Sequence, residues 1–533
     1  MSEPIVIRNA RVLAMDQAGH DWPSADIVIE NGRITATGPG VGSSVGSSVG
    51  SSVGSSVGSA VGSAVGGRAR DSGSGTPRII DATGMLALPG LINAHFHSPG
   101  NLMKGTLDGL PLELFMLYEV PPLAEDGDVA RVAYVRTMLG AIEMLERGIT
   151  SVHDDAFHVP LATRETVDAI MQAYADCGMR ATVAIDQPNI IEYEKYPFLK
   201  DLLPEAERHA MESAPRQSAE ELLALYEHLI ARWHGAENGR LSAAVSCSAP
   251  QRVTEGYLRA LSDLSKQHNL PFNIHILETK LQRVLGEDKF GKSLVRYVHD
   301  LGLLDKNMMV IHAIWVDDAD IALLAASGCT VAHNPVCNLR LGSGVMPFYK
   351  MRAAGVPLCL GTDEATVDDS SNLWLAAKTA ALLHTLGTPE YRDWPGANEI
   401  LRMLFAGGAR ALRQPETLGR IAAGCAADVI LLDLDTAAFT PLNDLARQLV
   451  FCEDGSSVRT VIVNGRVVCE NGRITTVDAK GLRTEARELV ARCKPQTDRA
   501  RAQAARLEPY YRTMVLRAAA RDVGFNRWLP QND

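Results

Sequence analysis

Between residues 88 and about 365, short apolar runs alternate with amphipathic stretches of helical period, and this alternation constrains the fold more than any other feature of the chain. The eight runs span 88–94, 150–153, 180–185, 241–247, 272–276, 308–312, 330–332 and 357–361. Helix-like segments such as 130–146, 219–233, 257–267, 293–301 and 317–326 separate them. Apolar runs spaced by helices read as buried parallel strands. Eight such repeats predict an α/β fold, a (β/α)8 TIM barrel, whose chemistry sits at the C-terminal ends of its strands.

The flanks follow another period. Residues 5–36 alternate as β-strands do, and Asn31-Gly32 between two apolar runs is a strong hairpin signal. Alternation returns near 428–434 and 459–468, where Asn464-Gly465 repeats the turn. Strands at both ends predict one small β-sandwich domain, with halves at 1–87 and 413–477 around a barrel at 88–412. Within the first half, 41–76 holds a Val-Gly-Ser repeat of period four that cannot pack and reads as a flexible loop. Residues 478–533, rich in Ala, Arg and Leu, read as a helical tail for the barrel or for another subunit.

Charge and composition narrow the function. The net charge is -11 with no basic stripe, which excludes nucleic acid and anionic membrane as natural partners. No apolar run approaches the ~20 residues of a membrane span. The N-terminus lacks the basic and apolar regions of a signal peptide. Nine cysteines without a C-x-x-C pair point to reduced thiols and a cytoplasmic location.

Ligand-type residues close five of the eight runs. The first ends in His95-Phe-His97, two imidazoles on one face of a strand. The fifth ends in His275 with Glu278 in the next loop, the sixth in His312, the seventh in His333-Asn334, and the eighth is followed by Asp363-Glu364. Three imidazoles and a carboxylate, from His95, His97, His275 and Asp363, suit one divalent metal, Zn²⁺ or alternatively Fe²⁺, with a position left for water. Such a metal lowers the pKa of water from about 15.7 toward roughly 7. Glu278, three residues beyond a ligand, is placed to carry protons, and His312 to hydrogen-bond the developing tetrahedral centre.

The stretches Pro89-Gly-Leu-Ile-Asn-Ala-His-Phe-His97, His275-Ile-Leu-Glu-Thr-Lys280, His312-Ala-Ile-Trp315, Ala332-His-Asn-Pro-Val-Cys-Asn338 and Leu360-Gly-Thr-Asp363 resemble the amidohydrolase superfamily. The branch they resemble is that of triazine hydrolases and cytosine deaminase-like enzymes. The resemblance implies a barrel with a two-part β-sandwich, a metal on His95, His97, His275 and Asp363, and catalytic roles for Glu278, His312 and Asp363. It also makes a homodimer or higher homo-oligomer the expected assembly. Binuclear relatives bridge their metals with a lysine at the end of strand four; this chain has Val245-Ser-Cys-Ser248, so one metal is expected. Where many relatives carry His-Ala-Pro, this chain reads Ser248-Ala-Pro-Gln251, which argues against nucleosides recognised through that histidine. Gln251, Phe115, Asn338 and Glu364 are the candidate substrate contacts, and Tyr118 could stack on a flat ring. Asp368 and Asp369 read as a cap for the following helix.

Other signals carry less. Gly286 to Ser293 fits the phosphate-loop pattern letter by letter, but no strand immediately precedes it and Glu287 and Asp288 would repel phosphate. His228 and His234 do not share a helix face and read as surface residues, while His153, Asp154, Asp155 and His158 follow the second run and could line a pocket. The expected activity is hydrolytic removal of an amino or substituted-amino group from a nitrogen heteroaromatic ring, using water. The rivals are displacement of chloride or alkylamine from a triazine, hydrolysis of a cyclic amide or N-acyl bond, and a scaffold without catalysis.

Overall fold

The computed structural model describes residues 3–43, 76–119, 121 and 129–529. Apart from Val41–Ser43, a short turn, the Val-Gly-Ser repeat lies outside the described residues.

The N-terminal alternation forms β1 (Ile5–Leu13), β2 (Asp21–Glu30), β3 (Arg33–Gly38), β4 (Arg78–Asp81) and β5 (Met85–Pro89). β2 turns into β3 through Asn31 and Gly32, both at positive φ (52° and 77°), the geometry for which Asn-Gly is favoured. The first apolar run, read from sequence as one strand, divides at Gly90. A Cβ there would stand 2.0 Å from Thr150 Oγ1, so glycine lets the chain pass a neighbouring strand while it changes sheets.

Beyond Gly90 run β6 (Leu91–His97), β7 (Ile149–Phe157), β8 (Arg180–Asp186), β9 (Leu241–Ala243), β10 (Val245–Ser246), β11 (Phe272–Ile276), β12 (Met308–His312), β13 (Thr330–His333), β14 (Leu358–Leu360) and β15 (Asp363–Glu364). They form two parallel arrays, in the orders β15-β6-β7-β8-β9 and β10-β11-β12-β13-β14. One residue separates β9 from β10: Ala244 N–H donates to Val183 O at 2.8 Å, and the next amide, Val245, to Pro271 O at 2.9 Å. Between β14 and β15 the chain again changes array, Gly361 N–H donating to His333 O at 3.2 Å while Asp363 pairs with Phe96. β7 runs longer than its apolar core, so His153, Asp154 and Asp155 lie within the strand, not after it as the sequence implied.

The helices fall where the 3.6-residue period placed them, among them Val129–Glu146, Ala219–Trp233, Glu255–His268 and Asp318–Ser327. Reciprocal capping boxes, Ser218 with Glu221 and Asp317 with Asp320, start two of them. Their apolar faces (Met138, Leu229, Leu261, Leu324) bury against strand residues Val152, Val183, Ile274 and Val310 in one core. The phosphate-loop lookalike is the end of helix Lys280–Phe290, stopped by Gly291 at φ 66°.

The chain then returns through β16 (Val429–Asp433), β17 (Val458–Val463), β18 (Arg466–Glu470) and β19 (Arg473–Ile474). β16 pairs antiparallel with β5, so strands from both ends share one sheet, β19-β18-β17-β16-β5-β1-β2-β3, with β4 beside β1. The two Asn-Gly turns meet: a Cβ on Gly465 (φ 73°) would stand 2.9 Å from Gly32 Cα. A buried ion pair, Arg180 Nε to Asp428 Oδ2 at 2.6 Å, ties β8 to the start of β16. Helix Ala479–Ala520 packs on its own chain, burying Tyr511, Met514 and Ala518 against Tyr196, Leu199 and Leu281. Among the described residues no helix is long and apolar enough to cross a membrane.

Candidate active site

β6 ends with His95 and His97 buried at the mouth of its array, and β11 brings His275 against both. His95 Nε2 lies 3.2 Å from His275 Nε2, and the His97 and His275 rings stack with centroids 5.3 Å apart. Asp363, from β15, sets Oδ1 3.6 Å from Nε2 of both His95 and His97. Its Oδ2 lies 3.5 Å from His312 Nε2, and Glu278 Oε2 lies 3.5 Å from that same nitrogen.

Backbone carbonyls orient the rings. His97 Nδ1 donates to Asp155 O at 2.6 Å and His275 Nδ1 to Ser248 O at 2.7 Å. A carbonyl can only accept, so both Nδ1 atoms carry protons and both Nε2 lone pairs turn inward. Asn338 Oδ1 likewise engages His312 Nδ1 at 2.9 Å. Asp155 also comes close, but its carboxylate takes a hydrogen bond from Asn273 Nδ2 and lies 3.9 Å from the protonated Nδ1 side of His275. Asp363 is therefore the carboxylate that faces the inward nitrogens.

The electrostatics fit a divalent cation. Burial pushes His95 and His275 well below the ordinary imidazole value, keeping them neutral as metal ligands must be. Burial opposes protonation of His97 too, yet the Asp363, Asp155 and Asp186 carboxylates together lift it to about 9, drawing to Nε2 a proton that a bound cation would displace. Burial, reinforced by Asp363 and Glu113, holds the Glu278 carboxyl well above the usual range. The inward-facing nitrogens beside the Asp363 carboxylate form a donor set that one dication would balance.

The backbone around this cluster is strained. Ser248, Leu277, His312, Ala313 and Asp363 all sit at positive φ, between 47° and 69°. Each such conformation costs a residue with a Cβ roughly 1 kcal/mol or more. Glu364 enters only because residue 100 is glycine: a Cβ there would meet Glu364 Oε1 at 1.9 Å.

A cavity of about 420 Å³ opens above the cluster. His97, His275, Glu278, His312 and Asp363 line it, as do two of the candidate substrate contacts, Phe115 and Glu364. The other two candidates do not line it. Gln251 is buried, and its neighbour Arg252 reaches the cavity instead, donating from Nη1 to Ser248 Oγ at 2.8 Å. Asn338 bonds His312, as described above. Tyr118 is also outside the lining, its hydroxyl donating to Glu508 of the C-terminal helix. Of the residues after the second run, His158 lines the cavity, while Asp154 accepts from Ser98 N and Tyr174 Oη elsewhere. Asp368 and Asp369 do not cap the next helix. Asn372 does, accepting from Trp374 N and Leu375 N, while Asp369 accepts from Gly105 N and Arg340 Nη2. His228 is half-buried against Asp168 at 2.8 Å.

Among the cavity residues that sequence reasoning missed are Glu119, Asp186, Arg252 and Cys337. Asp186 carried the same signal as the histidines, a polar residue closing an apolar run, and could have been found by it. Cys337, within reach of Glu278 and His312, was one of nine cysteines without pattern.

With this geometry in place, comparison with known proteins is decisive. The sequence profile of the amidohydrolase family matches residues 86–468. The chain belongs to the amidohydrolase family. It is a hydrolase of C–N bonds other than peptide bonds. It is 30% identical over 492 residues to the 5'-deoxyadenosine deaminase of Methanosarcina mazei, covering 92% of this chain and 99% of that one. It is 32% identical to the 5-methylthioadenosine/S-adenosylhomocysteine deaminase of Thermococcus kodakarensis over 392 residues, 73% of this chain and 84% of the relative. The fold is shared with a zinc-bound adenosine deaminase from Xanthomonas campestris, with TM-score 0.75, 23% identity, and 92% and 98% of the two chains covered. It is shared equally with a zinc complex of atrazine chlorohydrolase from Arthrobacter aurescens, at TM-score 0.75, 23% identity, and 91% and 100% coverage.

Proposed function

We propose that the protein deaminates an amino-substituted nitrogen heterocycle by hydrolysis, and that His95, His97, His275 and Asp363 hold one divalent metal, Zn²⁺ or alternatively Fe²⁺. The two parallel arrays are read here as one (β/α)8 barrel, with strands four and eight each split, at Ala244 and at residues 361–362. The observation that carries the chemistry is the meeting of Glu278 Oε2 and Asp363 Oδ2 at His312 Nε2, each 3.5 Å away, in a cavity of ring-accepting size.

A divalent metal held by His95, His97, His275 and Asp363 would supply a water of lowered pKa to the ring carbon. Glu278 is placed to relay both protons of the water: it passes the first to the ring nitrogen, then takes the second from the hydroxyl on the tetrahedral carbon and gives it to the departing amine. Its elevated pKa suits it to hold a proton between these transfers. His312, its Nδ1–H held by Asn338 Oδ1, presents the Nε2 lone pair to accept a hydrogen bond from the attacking water and the forming tetrahedral centre. One C–N bond breaks, one C–O bond forms, and ammonia leaves. Phe115 flanks the ring, and Glu364, Asp186 and Arg252 supply polar edges for its nitrogens and substituents. The relatives named as deaminases of adenosine-type compounds support this class. Ser248 at the position of the usual histidine favours rings recognised through Arg252. A homodimer is carried forward as part of this reading, with sedimentation velocity as its check.

The test pairs elemental analysis of purified protein with ammonia release from a panel of purines, pterins, pyrimidines and aminotriazines. About one metal per chain and ammonia from one ring class is the expected result. Chloride or alkylamine release, or a ring-opened product, in place of ammonia would overturn the deaminase reading.

A further inference from the structure

Downstream of helix Ala479–Ala520 the chain crosses back over two loops that leave the cavity. Arg527 donates from Nε to Ile314 O at 3.0 Å and from Nη2 to Val316 O at 2.6 Å, gripping the loop after β12 on both sides of Trp315. Its own carbonyl accepts from Val345 N at 2.8 Å, and Trp528 Nε1 donates to Gly342 O at 2.9 Å, so the same segment holds the loop after β13. The fit requires a glycine. Gly344 stands at φ 121°, and a Cβ on it would lie 3.0 Å from Arg527 O and 3.2 Å from Ile314 Cγ2.

These two loops bear on the reacting groups. Ile314 and Trp315 both donate their amides to Leu277 O, at 3.0 and 2.8 Å, and Leu277 precedes Glu278. Ile314 follows His312 and Ala313, two residues at φ 69° and 47° that need outside support to stay there. Trp315 Nε1 donates to Ser343 O at 2.8 Å, and Ser343 N–H to Asn338 O at 2.9 Å, which leads to the residue that orients His312. Arg527 is therefore two hydrogen bonds from the backbone of Glu278, although 213 residues separate it from Ile314.

We propose that Arg527 is a positioning residue: through the loop at 314–316 the C-terminal segment sets the placement of Glu278 against His312. Carbonyls are good acceptors, and a guanidinium can hold two of them in a fixed planar fork that the shorter-reaching, freely rotating ammonium of lysine lacks. Loss of the grip frees the positive-φ turn at 312–313 to relax, and the 3.5 Å meeting at His312 Nε2 widens. The functional half of this inference rests on the deaminase reading; the positional half does not.

The experiment uses the full, metal-loaded chain carrying Arg527→Met or Arg527→Lys. For Arg527→Met, kcat should fall about 10- to 100-fold with KM within about twofold. Arg527→Lys should recover part of the loss. Hydrogen exchange should show faster exchange at the Ile314 and Trp315 amides in Arg527→Met, with protection of the parallel strands unchanged. Unaltered kcat with unaltered exchange at 314–315 would overturn the proposal. So would loss of protection throughout the protein, which marks a merely structural role. If no ring in the panel yields ammonia, the deaminase reading fails, and the exchange experiment still decides whether Arg527 holds this loop.

Discussion

The terminal sheet and the cavity mouth both bend their chains through positive φ, and they do it with different residues. In the sheet the work falls mostly to asparagine and glycine, at Asn9, Asn31-Gly32, Asn464-Gly465 and Asn471-Gly472, which adopt this conformation at little cost, with Met15 the exception. At the mouth it falls to Ser248, Leu277, His312, Ala313 and Asp363, every one with a Cβ. The buried carboxylates divide the same way. In the sheet Asp428 is paired with Arg180, and Asp26 accepts from the amides of Asn9 and Gly42. At the mouth Asp363, Asp155, Asp186, Glu278 and Glu364 stand close together with few cations. One region is built for stability. The other spends stability to hold ligand-type side chains in place, as functional sites do.

The largest effect that would sharpen this contrast comes from the cluster itself. His275→Ala or treatment with a strong chelator should remove the metal and reduce ammonia release by a factor on the order of 10³ or more. Exchange protection of β1, β16 and β17 should survive. Retained turnover at full rate in metal-free protein would break the comparison at its root.

The contrast also explains what could be read in advance. Asn-Gly between alternating runs is a local signal, so both hairpins were legible from sequence alone. His95, His97, His275, His312 and Asp363 were legible because each terminates or directly follows an apolar run, and strand ends converge at one mouth. Residues that act through tertiary contact were not. Gln282 Oε1 receives the Glu278 amide at 2.9 Å, and Thr279 Oγ1 donates to Glu113 at 2.6 Å, yet nothing in their local pattern marks them. Gln251 was preferred over Arg252 because residue chemistry alone does not show which neighbour faces the cavity. The division of the first run at Gly90 was hidden for a related reason: a buried strand reads the same whichever sheet it joins.

In the sheet the stress test is Gly465→Ala. Alanine at φ 73°, with its Cβ against Gly32 Cα, should lower stability by about 2–3 kcal/mol in chemical denaturation. Metal content and kcat per folded chain should not change. A loss of metal in this variant would show that the two regions are not independent.

Asp368 offers a pH-resolved version of the same question. Burial, with Asp369 adding to it, pushes its carboxyl up to about 7 against the opposing pull of Arg147. A folded-state pKa above the unfolded value means the folded protein binds the proton more tightly. The favourable contribution is complete below about pH 4 and is lost as pH rises through 7. Asp368→Asn should therefore match the parent in stability at low pH and exceed it by about 1–2 kcal/mol at pH 8. Equal stabilities across the range would show that this carboxylate is not strained.

The smallest effect tests the backbone argument directly. Ala313 sits at φ 47°, one residue after His312, and is neither a candidate metal ligand nor itself part of the cavity lining. If its conformation is a cost borne for the site, Ala313→Gly should relieve it. The relief of roughly 1 kcal/mol is offset by the greater unfolded-state freedom of glycine, leaving a net gain of a few tenths to about 0.7 kcal/mol. The same change loosens the turn that fixes His312, so kcat should fall a few-fold while stability rises. That opposition of signs separates strain held for function from strain that is incidental. A variant both less stable and fully active would mean that the loop finds its conformation without cost, and that the mouth is built no differently from the hairpins.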